Sequence, residues 1–145
     1  MDFSEAERRF LGEQRQGRLS TIGRDGFPQV KPVGFAYNPE LGTIDISGMN
    51  MAASAKYKNV RANPKVAFVA DDVPDPERGA EGVRFLEVRG TAETAETAER
   101  DETGHLAPEI IRIRPRRVIA FNIGGPGLRA RTAGAAAEVN ERWPA

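Results

Sequence analysis

The sequence predicts a small, mainly β fold: a six-stranded antiparallel barrel with flanking helices. Six short segments of strand character are separated by tight-turn signals. Only two stretches, one at the start and one after the third strand, read as helix. A closed sheet also removes the bare edges that such a set of strands would otherwise leave. At 145 residues the chain fits one domain whose core needs no disulfide staples.

Each element has a local reason. Ser4–Gln14 reads as helix, with Ser4 as cap, Glu7 three positions on in a capping-box pattern, and Phe3, Phe10 and Leu11 on one side; Gly17 ends it. Arg18–Ile22 is the first strand, closed by the Asp25-Gly26 hairpin signal. Gln29–Tyr37 is the second, in which Pro32 favours an edge or a bulge. After the turn Asn38–Gly42, Thr43–Ser47 alternates Ile44 and Ile46 against polar neighbours. These three strands form an antiparallel meander.

Ala52–Val60 is the second helix, stopped by Asn63-Pro64, since a residue before proline is biased out of the helical region. Lys65–Ala70 is the fourth strand, Asp71–Gly82 a turn-rich loop, and Val83–Ala92 the fifth strand. Glu93–Pro108 reads as a polar surface excursion or a short helix, and Glu109–Ile123 as a sixth strand bent at Pro115. The barrel domain is therefore expected over residues 1–123. Residues 124–145 are expected to be a tail, partly flexible or docked on a partner subunit.

Chemistry is restricted by what the chain lacks. It has no cysteine, which excludes thiolate catalysis, cysteine-ligated zinc and iron–sulfur clusters. Its one histidine, His105, lies in a polar stretch, which excludes a histidine-rich metal site, and Asp71-Asp72 reads as an acidic turn after a strand rather than a ligand pair, so no metal site is expected. There is no G-x-S-x-G elbow, Walker A loop or G-x-G-x-x-G fingerprint. The start, MDFSEAERRF, has no apolar h-region, and no apolar run reaches membrane-spanning length, so a cytoplasmic protein without membrane contact is expected. So short a list of acid–base groups points to chemistry carried by a bound cofactor.

One segment suits such a ligand. The net charge is zero, yet Lys56, Lys58, Arg61 and Lys65 cluster where no Asp or Glu lies between Asp45 and Asp71. Ser54, Lys56, Lys58 and Asn59 offer cations, a hydroxyl and donors near a helix start, the groups a phosphate wants. Lys56 and Lys58, two apart, cannot both point the same way on a helix. The plain alternative is a solvated helix face. Arg112 and Arg114 share one side of the sixth strand, either as a polar outer face or as part of an anionic pocket. Nucleic acid is not expected: ten acidic and four basic residues give Asp72–Glu102 a charge of −6, which would repel a long phosphate backbone.

Four fragments in order then carry a resemblance: GRLSTIGRDGFPQVKPVGFAYNPELGTIDISG at Gly17–Gly48, ASAKYKNVRANPKVAFVADD at Ala53–Asp72, VRFLEVRGTAE at Val83–Glu93, and APEIIRIRPRRVIAF at Ala107–Phe121. The chain resembles the pyridoxamine 5'-phosphate oxidase-like flavin/deazaflavin family, most closely its actinobacterial F420-dependent oxidoreductases. The resemblance implies an FMN-binding type of split β-barrel that forms homodimers with cofactor sites at the interface. It places Pro32, Val33 and Gly34 on a cofactor-facing strand and Ser47, Gly48 and Met49 near the ring system. Ser54, Lys56, Lys58 and Asn59 would hold the phosphate, and Arg112 or Arg114 an anionic tail. The implied activity is hydride transfer between coenzyme F420 and a small organic substrate. The alternatives are an FMN-dependent oxidoreductase or flavin reductase, and a non-catalytic cofactor carrier.

Overall fold

The structure, a computed structural model, describes residues 2–97 and 104–133 and the backbone of 138–139. It begins with helix α1 (Glu5–Glu13), whose N-terminus carries the reciprocal capping box: the Glu7 N–H donates to Ser4 Oγ (3.1 Å) and the Ser4 N–H to Glu7 Oε1 (2.8 Å). Strands β1 (Gln16–Ile22), β2 (Pro28–Asn38) and β3 (Thr43–Ser47) follow as the expected meander. Gly26 turns the first hairpin at φ +83°, a conformation that suits a residue with no Cβ. Gly17 belongs to β1 rather than to the helix end. A Cβ there would lie 2.3 Å from the Phe68 ring, so the barrel wall closes over a bare backbone.

The second helical region is split. A short 3-10 turn, Met51–Ala53, is followed by α2 (Ala55–Ala62), because Ser54 leaves helical geometry (ψ 150°) to cap the new helix. Strand β4 (Lys65–Asp72) then pairs with β1, and β5 (Arg84–Glu96) with β4. β5 extends four residues past the expected end. Glu93–Glu96, where the sequence predicts a surface excursion or a short helix, pairs with Arg112–Glu109 because the alternating start of β6 (Glu109–Phe121) offers it a ladder; residues 98–103 of that stretch lie outside the described residues.

β3 also pairs with β6 through Ile44↔Ile113, Asp45↔Arg112 and Ile46↔Ile111, so β3-β2-β1-β4-β5-β6 closes on itself as the six-stranded barrel. Inward residues such as Leu19, Ile46, Phe68, Leu86 and Ile111 fill it, each 1% exposed or less. Pro115 marks the bend: the register shifts at Arg89/Gly90, where Gly90 faces Pro115, and Arg116 is left over as a bulge. Beyond residue 123 the sheet continues, with β7 (Leu128–Thr132) on β6 and β8 (Glu138–Val139) on β7. The glycines before Leu128 mask this strand in the sequence.

β7 also holds α1. Arg131 binds both carboxylate oxygens of Glu7, which is 4% exposed, and donates to the Asp2 carbonyl (3.0 Å). Burial pushes the Glu7 carboxyl up, but the hydrogen bonds and charge of Arg131, with those of Ser4, outweigh it and hold the group below its ordinary 4.5. A depressed carboxyl stabilises the fold above the unfolded-state value and loses that contribution as pH falls through the folded one. Glu7→Gln should therefore melt roughly 3–6 °C below wild type at pH 7. The gap should narrow as the pH falls below about 4.5, which thermal melts across pH 3–7 can follow.

Candidate functional site

Of the residues expected from sequence, Pro32, Val33 and Gly34 lie on β2, Ser47 ends β3, and Lys56, Lys58 and Asn59 lie on α2, which Ser54 caps and which packs mainly on β1 and β5. In β2, Val33 is buried while Pro32 and Gly34 on either side are exposed, the alternation of a strand with one face in the core. Gly34 stands opposite Ser47 in the β2–β3 ladder, which brings these two stretches side by side. Directly after Ser47, the Gly48 carbonyl accepts from the Ala107 N–H (3.0 Å), so the segment before β6 is tied to the end of β3. A Cβ on Gly48 would lie 3.3 Å from Met51 Cε and 4.0 Å from Lys56 Nζ. The Lys56 ammonium thus sits beside the bare backbone of Gly48. Met49, next along, is 75% exposed.

The geometry of α2 separates its two lysines. Lys56 is half-buried against Gly48, whereas Lys58 is exposed on another side. The described residues place no carboxylate in an ion pair with Lys56. α2 has no acidic residue in its first turn and carries Arg61 in its last. Ser54 caps the helix: its Oγ accepts from the Tyr57 N–H (3.3 Å) and donates to the Met51 carbonyl (2.6 Å). The N–H groups of Ala55 and Lys56 are first-turn donors with no intrahelical acceptor. A bare glycine, an ammonium beside it and two such donors fit the phosphate end of a small anionic ligand.

Three of the expected residues are engaged elsewhere. Asn59 is 8% exposed, and its amide nitrogen donates to Thr21 Oγ1 (3.0 Å) and Gln29 Oε1 (2.9 Å), both on the β1–β2 hairpin. Arg112 grips both carboxylate oxygens of Asp45 (3.1 Å each) across the β3–β6 seam, and Asp45 also accepts from Thr43 Oγ1 and Asn38 Nδ2. Arg114 donates to Glu93 (2.7 and 3.1 Å). Sequence reasoning missed Thr21, Gln29 and Ala107. Only their partners reveal them, and those partners lie 30 or more residues away for the hydrogen bonds of Asn59.

The N-terminal half of β2 forms an open wall beside this cluster. Pro28–Pro32 pairs with β1 alone and is exposed throughout, and Phe27 (71%) and Val30 (64%) present apolar surface to solvent. The closed six-stranded barrel with its flanking helices is the fold of flavin- and deazaflavin-binding, oxidoreductase-like split barrels. The chain belongs to the pyridoxamine 5'-phosphate oxidase family, whose sequence profile matches residues 3–125.

It is similar to a 5a,11a-dehydrotetracycline/5a,11a-dehydrooxytetracycline reductase of Streptomyces rimosus, with 43% identity over 134 residues covering 90% of this chain and 93% of the relative. Among solved structures it resembles the conserved hypothetical protein Rv2991 of Mycobacterium tuberculosis, with a TM-score of 0.62 and 26% identity over 81% of this chain and 84% of that one. It also resembles a protein described as an F420 reductase, with a TM-score of 0.59 and 26% identity over 80% and 98% of the two chains. No helix among the described residues is long and apolar enough to cross a membrane.

Proposed function

We propose that this chain is a reductase that moves a hydride from a reduced, phosphate-bearing flavin or deazaflavin to a small unsaturated organic substrate. The observation that carries this reading is the Lys56 ammonium beside bare Gly48, without a described carboxylate partner, next to the open β2 wall. The Streptomyces rimosus relative, a reductase of dehydro compounds, supports reduction as the direction of the reaction. Family membership supports FMN at least as well as F420, so both cofactors stand where the sequence alone favoured F420.

Lys56 and the first-turn donors of α2 would hold the phosphate, with Ser54 keeping those donors in place as the cap. Pro32 and Gly34 on β2, with Ser47, Gly48 and Met49 at the end of β3, would line the ring. Gly34 and Gly48 present backbone with no side chain between it and the ligand. Lys58 adds positive charge nearby without touching the phosphate, and Asn59 acts from within the fold. Arg112 and Arg114 would serve an anionic tail only by exchanging their present carboxylates for it. When bound, the cofactor supplies the hydride; the chain orients it, shields one face, and leaves the accompanying proton to water. A second copy of the chain would cover Phe27, Val30 and Met49 and complete the site as a homodimer.

Parallel fluorescence titrations with FMN and with F420 test this reading. Micromolar binding of either supports it and names the cofactor; binding of neither overturns it. Single-turnover mixing of the reduced complex with unsaturated ring compounds then separates a reductase from a carrier, since a carrier stays reduced with every acceptor.

A further inference from the structure

Asn59 was expected to touch the ligand, but its amide hydrogens are directed into the protein. One goes to each strand of the β1–β2 hairpin, to Thr21 on β1 and to Gln29 on β2. Thr21 and Gln29 stand directly opposite each other in that ladder, so the amide docks on a cross-strand pair. Among the described residues, the Asn59–Gln29 bond is the one hydrogen bond that joins α2 to β2. Asn59 also lies three residues after Lys56, on a neighbouring part of the same helix face.

We propose that Gln29, Thr21 and Asn59 form a positioning clamp that fixes the distance between the Lys56 helix and the open wall of β2. The clamp rests on the phosphate-site reading above and adds to it residues that never meet the ligand. The need for it follows from the topology. From Pro28 to Pro32, β2 has β1 as its only partner and both faces exposed, so sheet pairing alone leaves it free to tilt relative to α2.

A buried NH2 group with two acceptors resists such tilting, because losing either acceptor leaves a desolvated donor unsatisfied. Gly23 makes the arrangement possible. A Cβ there would lie 2.5 Å from Gln29 Nε2, so the glutamine folds back over the turn only because residue 23 is bare.

The test compares Gln29→Met, which keeps the length but removes the acceptor, with Gln29→Glu, which keeps an acceptor oxygen for Asn59. Gln29 is exposed, so neither change disturbs the core. A clamp predicts that Gln29→Met weakens FMN or F420 binding about five- to tenfold, and more than Gln29→Glu does. Direct contact between Gln29 and the phosphate predicts the reverse order, because the glutamate loses the donor and adds repulsion. That order, or no loss in either variant, overturns the proposal.

Gly23→Ala, which displaces the far end of Gln29, should behave as Gln29→Met does. Amide hydrogen exchange on the ligand-free protein gives an independent reading. Exchange should quicken in residues 22–30 and in α2 for Gln29→Met but not for Gln29→Glu. Unchanged exchange in Gln29→Met overturns the clamp, whereas failure of the wild type to bind either cofactor overturns only the reductase reading.

Discussion

Lys56→Ala should weaken binding of FMN or F420 about ten- to a hundredfold, the range for removing one charge-assisted hydrogen bond. The melting temperature should stay within about 2 °C of wild type, because the described residues place no ion pair on Lys56 whose loss would destabilise the fold. Lys56 is placed for this effect by its position in α2. The side chain lies against Gly48 at the end of β3, where the helix presents its unsatisfied N–H groups.

Lys58→Ala provides the contrast. Its ammonium is exposed on another side of the helix, so a loss of less than about threefold is expected, and that loss should shrink as salt is raised. Titration of both variants measures the difference. Equal losses would mean that the whole basic surface attracts the ligand and that the corner at Gly48 has no special part in it.

Gly90→Ala should lower the melting temperature by roughly 10 °C, equivalent to about 3 kcal/mol for a chain of this size. A Cβ at residue 90 would lie 2.2 Å from the Arg114 carbonyl oxygen and 3.0 Å from its carbon. Both are backbone atoms of the neighbouring strand and cannot swing aside as a side chain would. The strands approach so closely because Pro115, opposite Gly90, brings no N–H to the ladder and the register shifts there. The bulged Arg116 turns its carbonyl to the Ala133 N–H (2.7 Å), which anchors the residue just past β7. Gly12→Ala should act in the opposite sense: beyond the helix's own backbone and the adjoining residues nothing lies within 4 Å of its Cβ position near the end of α1, so about 0.5 kcal/mol of helix stabilisation is expected. Calorimetric melts of the two variants make the comparison.

The barrel was legible because its signals are local. Ser4 and Glu7 three apart, Asp25-Gly26, and Ile44 and Ile46 in alternation each determine one element without reference to the rest. Ser54 was legible as a polar group near a helix start, but not as the break between two helical turns, since a cap and a mid-helix serine look alike in sequence. Strand β7 was hidden because Gly124, Gly125 and Gly127 suppress strand character just before it, and its partner strand supplies the reason to be extended.

In the site, the pairing of Gly48 with Lys56 combines two local signals and could be anticipated. The engagement of Asn59 could not. An asparagine on a basic helix offers the same donors to a phosphate and to a hairpin, and only the packing of α2 on β1, with Gln29 within reach, decides between them. For Arg112 and Arg114 the carboxylates that hold them come from other strands, so a sequence scan saw cations where the fold has pairs.

The seam between β3 and β6 also sets an order of assembly. It joins residues 67 apart in the chain, as the Arg112–Asp45 pair shows, with only three register pairs to hold it. During synthesis the meander β1–β3 leaves the ribosome with both outer edges unpaired; β4 covers that of β1, but the short edge of β3 has no partner strand until residues 111–113 have been made. The barrel is therefore closed late, by a strand from its own second half, after the loop-closure entropy of the intervening chain has been met. Until then β3 is an exposed strand edge carrying Ile44 and Ile46, the kind of surface on which a chaperone or a second nascent chain can act.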